Sequence, residues 1–297
     1  MEIVRFAQKA GHIFYESANL EKIAEGFYFT EGPVWDGKEE CLYFTDFNDN
    51  LIYRWKEGER EEIYRTNSGR AVGLSMLSDG SIVSAETRSH AITVAGSCKS
   101  RILADSFEGK RLNSPNDVAA RSDGWIYFTD PYSTAMGDVR ELPFNGIYGI
   151  RAEGGMPEAG NLFLVDDGME RPNGIAFSPD EQILYVNDTN HQLIVAYQMR
   201  KDGTASLIGR FATLDARYGN GAADGMKVDT EGNVYLTGPG GIWVIDPSGE
   251  PVAILKCPEV AGNLCFGGAD GQMLYITAST GVYRVPVKIP GVMPVRR

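Results

Sequence analysis

The chain has 297 residues, of which 43% are hydrophobic and 23% charged, and it carries a formal net charge of −12. This acidity argues against nucleic acid and anionic membranes as partners, and no apolar stretch approaches the ~18 residues that a membrane helix needs. Thirty-five glycines and 14 prolines are typical of an all-β chain in which turns separate many short strands.

The N-terminal segment, MEIVRFAQKAGHIF, carries Glu2, Arg5 and Lys9 and lacks the apolar centre of a secretory signal. The four cysteines form no CxxC pair and are unlike a zinc or disulfide framework; they are Cys41, Cys98, Cys257 and Cys265. Both observations predict reduced thiols and a cytoplasmic location.

A repeated pattern follows this segment: an apolar stretch, a turn such as SDG, SPD or TEG, and a strand that ends in aromatic or β-branched residues. It recurs at 32–46, 73–86, 116–130, 173–188, 224–238 and 263–278, and a third alternating strand follows each copy. Six repeats spaced by roughly 40 to 57 residues predict a six-bladed β-propeller, with four-stranded blades around a central channel.

No linker-like composition separates the repeats, and each presents sheet faces that only its neighbours can cover. We therefore expect residues 1–297 to form a single domain. The N-terminal segment at about 17–30 is expected to supply a strand that closes the ring with the last blade.

One position of the repeat, 11 or 12 residues before the strand aromatic, carries an oxygen-bearing side chain in five of the six copies. We call it the head position; the five residues are Glu31, Asn116, Asn173, Asp224 and Asn263, and the second repeat has Val72. Asn and Asp before a strand are also common turn residues. In a propeller, however, the innermost strands of all blades begin at the same end of the channel, so these side chains become neighbours there. Two carboxylates with amide oxygens suit a hard divalent cation, calcium first and magnesium or manganese next. The predicted ligands are Glu31, Asn116, Asn173 and Asp224.

Long motifs resemble the gluconolactonase, senescence-marker-protein and luciferin-regenerating-enzyme-like (regucalcin-like) family: TEGPVW, RLNSPNDVAARSDGWIYFTDP, RPNGIAFSPDEQILYVNDT and ADGMKVDTEGNVYLTGPGGIWV, spread from about Glu31 to Val285. The resemblance implies a six-bladed propeller with a divalent cation in its channel and, for most members, lactonase activity on sugar-acid lactones. Zinc and iron are further possible ions. The family's metal-binding glutamate falls on Glu31, its asparagine on Asn173 and its aspartate on Asp224. Asn116 matches an asparagine that binds the metal in some members and substrate in others.

For a small-molecule lactone substrate, we predict that Asp224 acts as general base towards water, with nucleophilic attack by Asp224 as the alternative. Loops over the channel should contact the substrate, through Asn116, Glu86, Arg88 and Tyr132. A second repeated position, with Asp46, Glu86, Asp130 and Asp188, is interpreted mostly as turn capping. Two alternatives to the lactonase stay open: an aryl-esterase or phosphotriesterase at the same metal site, and a non-catalytic propeller with a structural cation.

Overall fold

The computed structural model describes residues 2–95, 100–134 and 137–293. Nearly all of its regular structure is β-strand. The N-terminal elements are β1 (Ile3–Arg5), a short helix α1 (Ala10–Ile13) and β2 (Glu21–Glu25). Blade one contains β3 (Thr30–Asp36), β4 (Cys41–Asp46), β5 (Leu51–Lys56) and β6 (Glu62–Thr66). Blade two contains β7 (Ala71–Met76), β8 (Ile82–Glu86), β9 (Ala91–Ala95) and β10 (Ser100–Ala104), and a small hairpin follows, β11 (Ser106–Phe107) and β12 (Lys110–Arg111).

Blade three contains β13 (Val118–Ala120), β14 (Ile126–Asp130), β15 (Gly146–Glu153) and β16 (Met156–Asp166). Blade four contains β17 (Pro172–Phe177), β18 (Ile183–Asp188), β19 (Leu193–Met199) and β20 (Ala205–Thr213), and a short 3-10 helix, Ala216–Tyr218, follows. Blade five contains β21 (Met226–Val228), β22 (Val234–Gly238), β23 (Gly241–Ile245) and β24 (Pro251–Lys256), and blade six contains β25 (Ala261–Gly267), β26 (Met273–Ala278) and β27 (Gly281–Pro286).

The blades are antiparallel sheets in which successive strands are neighbours. Their innermost strands contact one another in a closed ring, in the order β3, β7, β13, β17, β21, β25 and back to β3. This ring confirms the six-bladed propeller that the repeats predict. The outer strand of blade six is β2, which pairs with β27, and β1 adds a fifth strand to blade five by pairing with β24.

The hydrophobic core is divided among the blade interfaces. In the described part of the chain, six apolar clusters each join two neighbouring blades. An inner strand such as β4 is buried along its whole length, whereas four of the five residues of the outer strand β6 are exposed. Strands buried on both faces need apolar residues on both, so the repeats read as continuous apolar runs rather than strict alternation.

The described cysteines, Cys41, Cys257 and Cys265, form no disulfide, and Cys98 lies outside the described residues. Within the same residues, no helix is both long and apolar enough to span a bilayer.

Candidate functional site

The head positions are fixed by the pairing of the two inner strands of each blade. Val34 pairs with the strand aromatic Tyr43, and Glu31 stands three residues before Val34. In the other blades, the head residue likewise stands three residues before the residue that pairs at the position equivalent to Tyr43. The equivalent strand residues are Ala119, Ala176 and Lys227, which place Asn116, Asn173 and Asp224 at the head position. In blade six, Cys265 pairs with Tyr275, so the head residue is Gly262. The expectation of Asn263 was wrong by one residue, because the turn between β25 and β26 is longer than the others.

Hydrogen bonds between blades hold the backbone of the head residues. The Thr45 hydroxyl donates to the carbonyl oxygen of Val72 at 3.2 Å, Thr129 donates to Asn173 at 2.7 Å, and Thr237 donates to Gly262 at 3.0 Å. The Asn187 amide makes the equivalent bond to the carbonyl oxygen of Asp224. In blades two, four, five and six, the second strand of the preceding blade therefore positions the head residue.

Buried aspartates hold the loops that lead into the innermost strands. Asp46 accepts hydrogen bonds from the backbone N–H groups of Tyr28 and Phe29, at 2.8 and 3.1 Å. Asp130 accepts hydrogen bonds from the backbone N–H groups of Asn113 and Ser114, and Asp188 accepts them from those of Glu170 and Arg171. These carboxylates act on the loops immediately before Glu31, Asn116 and Asn173. They are therefore structural supports of the head residues as well as turn-capping groups.

Three carboxyl groups influence one another at this end of the channel. Burial raises the pKa of Glu31 to about 7, and the nearby Asp117 carboxyl acts in the same direction, against the N–H of Gly32. Burial also raises the pKa of Asp224 well above its ordinary value, and Glu31 and Asp117 raise it further. Ionised carboxylates so placed need a compensating positive charge.

The amide oxygens of Asn116 and Asn173 are buried and have no hydrogen-bond partner among the described residues. The amide nitrogen of Asn173 is occupied, since it donates to the Thr189 hydroxyl at 3.1 Å. Carbonyl oxygens left open beside carboxylates fit the ligand preference of a hard divalent cation. In the described residues, no three His, Cys, Asp or Glu side chains gather as a ligand set by themselves, so a site here needs the two amides.

Asp117 and Asn263 contribute to this region; no role was predicted for Asp117, and Asn263 was predicted as a head residue. Both stand directly after a head position, where the other four blades have glycine: Gly32, Gly73, Gly174 and Gly225. Asp117 is 1% exposed, and a Cβ atom on Gly73 would collide with its carboxyl. The Asn263 side chain lies near Glu31 and Asp117 and acts to lower the pKa of both carboxyl groups. Departure from the repeated glycine is the signal that could have identified them.

The predicted substrate-binding residues are placed less uniformly. Glu86 is buried, with Arg65 Nη2 at 2.8 Å and the Thr93 hydroxyl at 2.5 Å from the same carboxylate oxygen. The Tyr132 hydroxyl donates to the carbonyl oxygen of Asp138 at 2.9 Å within its own loop. Arg88 is exposed.

The opposite half of the channel is different in character. A cavity of about 380 Å³ lies there, with mostly apolar walls formed by the innermost strands, and none of the four predicted metal ligands lines it. Lys227 is one of the charged residues that line this cavity, and its ammonium acts to lower the pKa of the Asp117 carboxyl.

Comparisons with known proteins agree with this architecture. The family pattern described as the SMP-30/Gluconolactonase/LRE-like region matches residues 29–280. A gluconolactonase from Zymomonas mobilis is 30% identical over an alignment that covers 98% of this chain and 87% of the relative. A pentonolactonase from Haloferax volcanii is 26% identical, with coverages of 84% and 81%. The solved structure of a gluconolactonase from Xanthomonas campestris superposes with a TM-score of 0.86 at 27% identity, covering 97% of this chain and 95% of that one.

Proposed function

The chain belongs to the SMP-30/gluconolactonase/LRE-like family, and from this premise we propose that it is a metal-dependent lactonase that hydrolyses a sugar-acid lactone. Relatives named gluconolactonase and pentonolactonase support the substrate class. The observation that carries the metal dependence is the meeting of buried carboxyl groups with two unpartnered amide oxygens at one end of the channel.

Glu31, Asn116, Asn173 and Asp224 would hold one divalent cation, and an all-oxygen set favours calcium. When bound, such a cation polarises a lactone carbonyl and lowers the pKa of water. The carbonyl groups of Asn173 and Asp224 are tied to the preceding blade by hydrogen bonds, so these two side chains start from a rigid frame.

Asp224 is the proposed general base. Its carboxylate lies close to that of Glu31 at the end of the channel, since the two groups influence each other, and a carboxylate beside an attacking water molecule can take its proton. It would take a proton from water as the water oxygen adds to the carbonyl carbon. The ring C–O bond then breaks, the proton passes to the departing ring oxygen, and the product is the open hydroxy acid.

Substrate contacts are proposed for Asn116 and Arg88, through the open amide oxygen of the first and the exposed guanidinium of the second. The Glu86 carboxylate and the Tyr132 hydroxyl already have partners in the protein. Contacts from these two would require exchange of those hydrogen bonds, so we rank them below Asn116.

The test is the initial rate of acid release from a panel of aldonolactones, on chelator-stripped protein to which single divalent metals are returned. We expect turnover that depends on added metal, with calcium or another oxygen-preferring ion most effective. Equal turnover with and without metal would refute the metal dependence. Rates no higher than spontaneous hydrolysis with every metal would refute the lactonase for these sugars.

A further inference from the structure

His90 lies in the turn between β8 and β9, at the same end of the propeller as the candidate site. Glu86, the last residue of β8, pairs with Ala71, which directly precedes the head residue of blade two. His90 is 8% exposed, whereas the side chain of His12 is 70% exposed. A buried histidine needs hydrogen-bond partners within the protein, so the surroundings of this ring bear on its role.

The ring of His90 lies between two hydrogen-bond acceptors. Its Nδ1 faces the backbone carbonyl oxygen of Asn113, and its Nε2 lies 3.2 Å from Oδ2 of Asp138. A carbonyl and an ionised carboxylate can only accept hydrogen bonds, and a neutral imidazole has a single N–H to donate. Only the imidazolium form of His90 can therefore make both bonds at once.

Other charged and titratable groups share the small pocket of this ring: Arg111, Tyr132, Arg140 and Glu141. Arg111 lies 3.8 Å from the carboxylate of Glu141, and that carboxylate also accepts its backbone N–H at 2.8 Å. The guanidinium of Arg140 lies over the ring of Tyr132, 5.4 Å from its centre. Within the part of the chain that the structure describes, the charged group bonded to the imidazole is therefore Asp138.

The turn of His90 also holds the segment that leads to the head residue of blade three. The Thr87 hydroxyl donates to the carbonyl oxygen of Pro115 at 2.9 Å, and the His90 ring bonds to that of Asn113. The same turn carries the exposed Arg88. Two predicted substrate contacts, one on the turn and one directly after the segment, are therefore held relative to each other.

Asp138 extends this connection to the loop between β14 and β15. Its backbone carbonyl oxygen accepts the Tyr132 hydroxyl at 2.9 Å, while its carboxylate faces His90. We propose that His90, as an imidazolium, is a positioning residue that holds the substrate contacts of blades two and three together, and that its deprotonation weakens substrate binding. Histidine suits this role because it is the residue type that ordinarily changes charge between pH 5 and 8. This inference rests on the proposed lactonase, but it concerns residues outside the predicted metal ligands.

KM and kcat for glucono-1,5-lactone should be measured at saturating metal, at pH 5.5 and pH 8, with the spontaneous rate subtracted. Each variant is compared with the wild type at the same pH, which cancels titrations that the two proteins share. His90→Asn keeps an N–H near the position of Nδ1 but cannot reach Asp138. Its KM should be roughly fivefold above that of the wild type at pH 5.5, the effect of one lost hydrogen bond. At pH 8 the two KM values should agree within about twofold, and kcat should change less than twofold at either pH.

Asp138→Asn gives the opposite result at high pH. An asparagine amide can accept from the imidazolium through its oxygen or donate to the neutral ring through its nitrogen. Its KM should therefore stay within about threefold of the wild type at pH 5.5 and fall several-fold below the wild type at pH 8. His12→Gln is the matched control, since His12 is an exposed histidine 3.5 Å from the carboxylate of Glu231, and it should behave as the wild type at both pH values. If His90→Asn does not fold, Asp138→Asn still decides the matter.

Amide hydrogen exchange gives a readout that needs no substrate. The backbone N–H of Tyr132 donates to Oδ1 of Asn145 at 2.9 Å, so its exchange reports how firmly the loop is held. At pH 5.5 it should be roughly fivefold faster in His90→Asn than in the wild type. Equal KM ratios at the two pH values in His90→Asn, or a wild-type pH trend in Asp138→Asn, would overturn the proposal. Faster exchange in His90→Asn without hydrolysis of any lactone would support the connection through His90 and refute the lactonase.

Discussion

Four blades carry an oxygen-bearing side chain at the head position, whereas blades two and six have Val72 and Gly262 there. The backbone is held in the same way in both groups. The carbonyl oxygens of Val72 and Gly262 accept hydroxyl hydrogen bonds from the preceding blade at 3.2 and 3.0 Å, as that of Asn173 does at 2.7 Å. The fold therefore uses the backbone of the head residue and the candidate site uses its side chain. Substitutions at the two kinds of blade should separate activity from stability.

The largest effect is expected in a blade that carries a ligand. Asp224→Asn keeps the size of the side chain but removes the proposed base and one negative charge. We predict a fall in kcat/KM of at least ~10²-fold, because removal of a general base alone typically costs that much. The measurement is lactone hydrolysis at saturating metal. Asp79→Asn, the same change in an exposed turn, is the control. Near-normal activity in metal-loaded Asp224→Asn would exclude Asp224 as the base.

A blade without a ligand can still disturb the site through space. A Cβ atom at Gly262 would lie 2.5 Å from Glu31 Oε1, which is closer than Cβ atoms approach other atoms. Glu31 is 2% exposed and has little room to move. We therefore expect Gly262→Ala to weaken calcium binding by roughly tenfold, equivalent to about 1.4 kcal/mol.

Val72→Ala is the matched variant for this test, since it removes methyl groups from the other head position that lacks a ligand. It should lower stability by about 1 kcal/mol or more and leave calcium affinity within about threefold. Calorimetric titration of both variants makes the comparison. Unchanged affinity in Gly262→Ala would mean that Glu31 does not bind the cation in the position the structure gives it.

The sequence predicts the residues that recur in every blade better than the residues that depart from the repeat. Repetition predicted the six blades and selected the head position, because each blade must bury the same faces against its neighbours. Counting 11 or 12 residues back from the strand aromatic gave the wrong head residue in blade six, because the turn before Tyr275 is longer there. Asp117 was not assigned a role because it is an exception to the glycines that follow most head residues. Such an exception acquires meaning only when strands distant in sequence surround the same channel. The three-residue strand β1 is too short to show an alternating pattern.

The pH dependence of stability should reveal the buried carboxyl of blade one. The pKa of Glu31 rises from 4.5 to about 7 on folding in the metal-free protein. The folded state therefore holds a proton that the unfolded chain releases above pH 4.5. Stability gained from this difference, up to roughly 3 kcal/mol, is present at low pH and is lost as pH rises through about 7.

Urea unfolding of chelated protein at pH 5 and pH 8 measures this loss. Glu31→Gln should show a smaller decrease between the two values, with a remainder from other buried carboxyl groups such as Asp117, Asp130 and Asp224, whose pKa values burial also raises. Saturating calcium should reduce the decrease in the wild type by binding the ionised site. An identical decrease in wild type and Glu31→Gln, both chelated, would contradict the assignment to Glu31.

The smallest effects should come from the hydroxyl groups that tie the blades together. Thr129 and Thr237 are both fully buried, and valine replaces each with little change in shape. Each substitution removes a buried hydrogen bond, although the carbonyl oxygen of Gly262 keeps the N–H of Gly225 at 2.8 Å, so both should destabilise the fold by roughly 1 kcal/mol in urea unfolding. Only Thr129 supports a head residue with a proposed ligand, since its hydroxyl donates to Asn173 and also accepts the N–H of Asp117 at 3.1 Å. Thr129→Val should therefore lower kcat/KM several-fold, whereas Thr237→Val should leave it within about twofold. Equal losses of activity in the two variants would mean that the site depends on the ring as a whole, and the division between backbone and side-chain roles would fail.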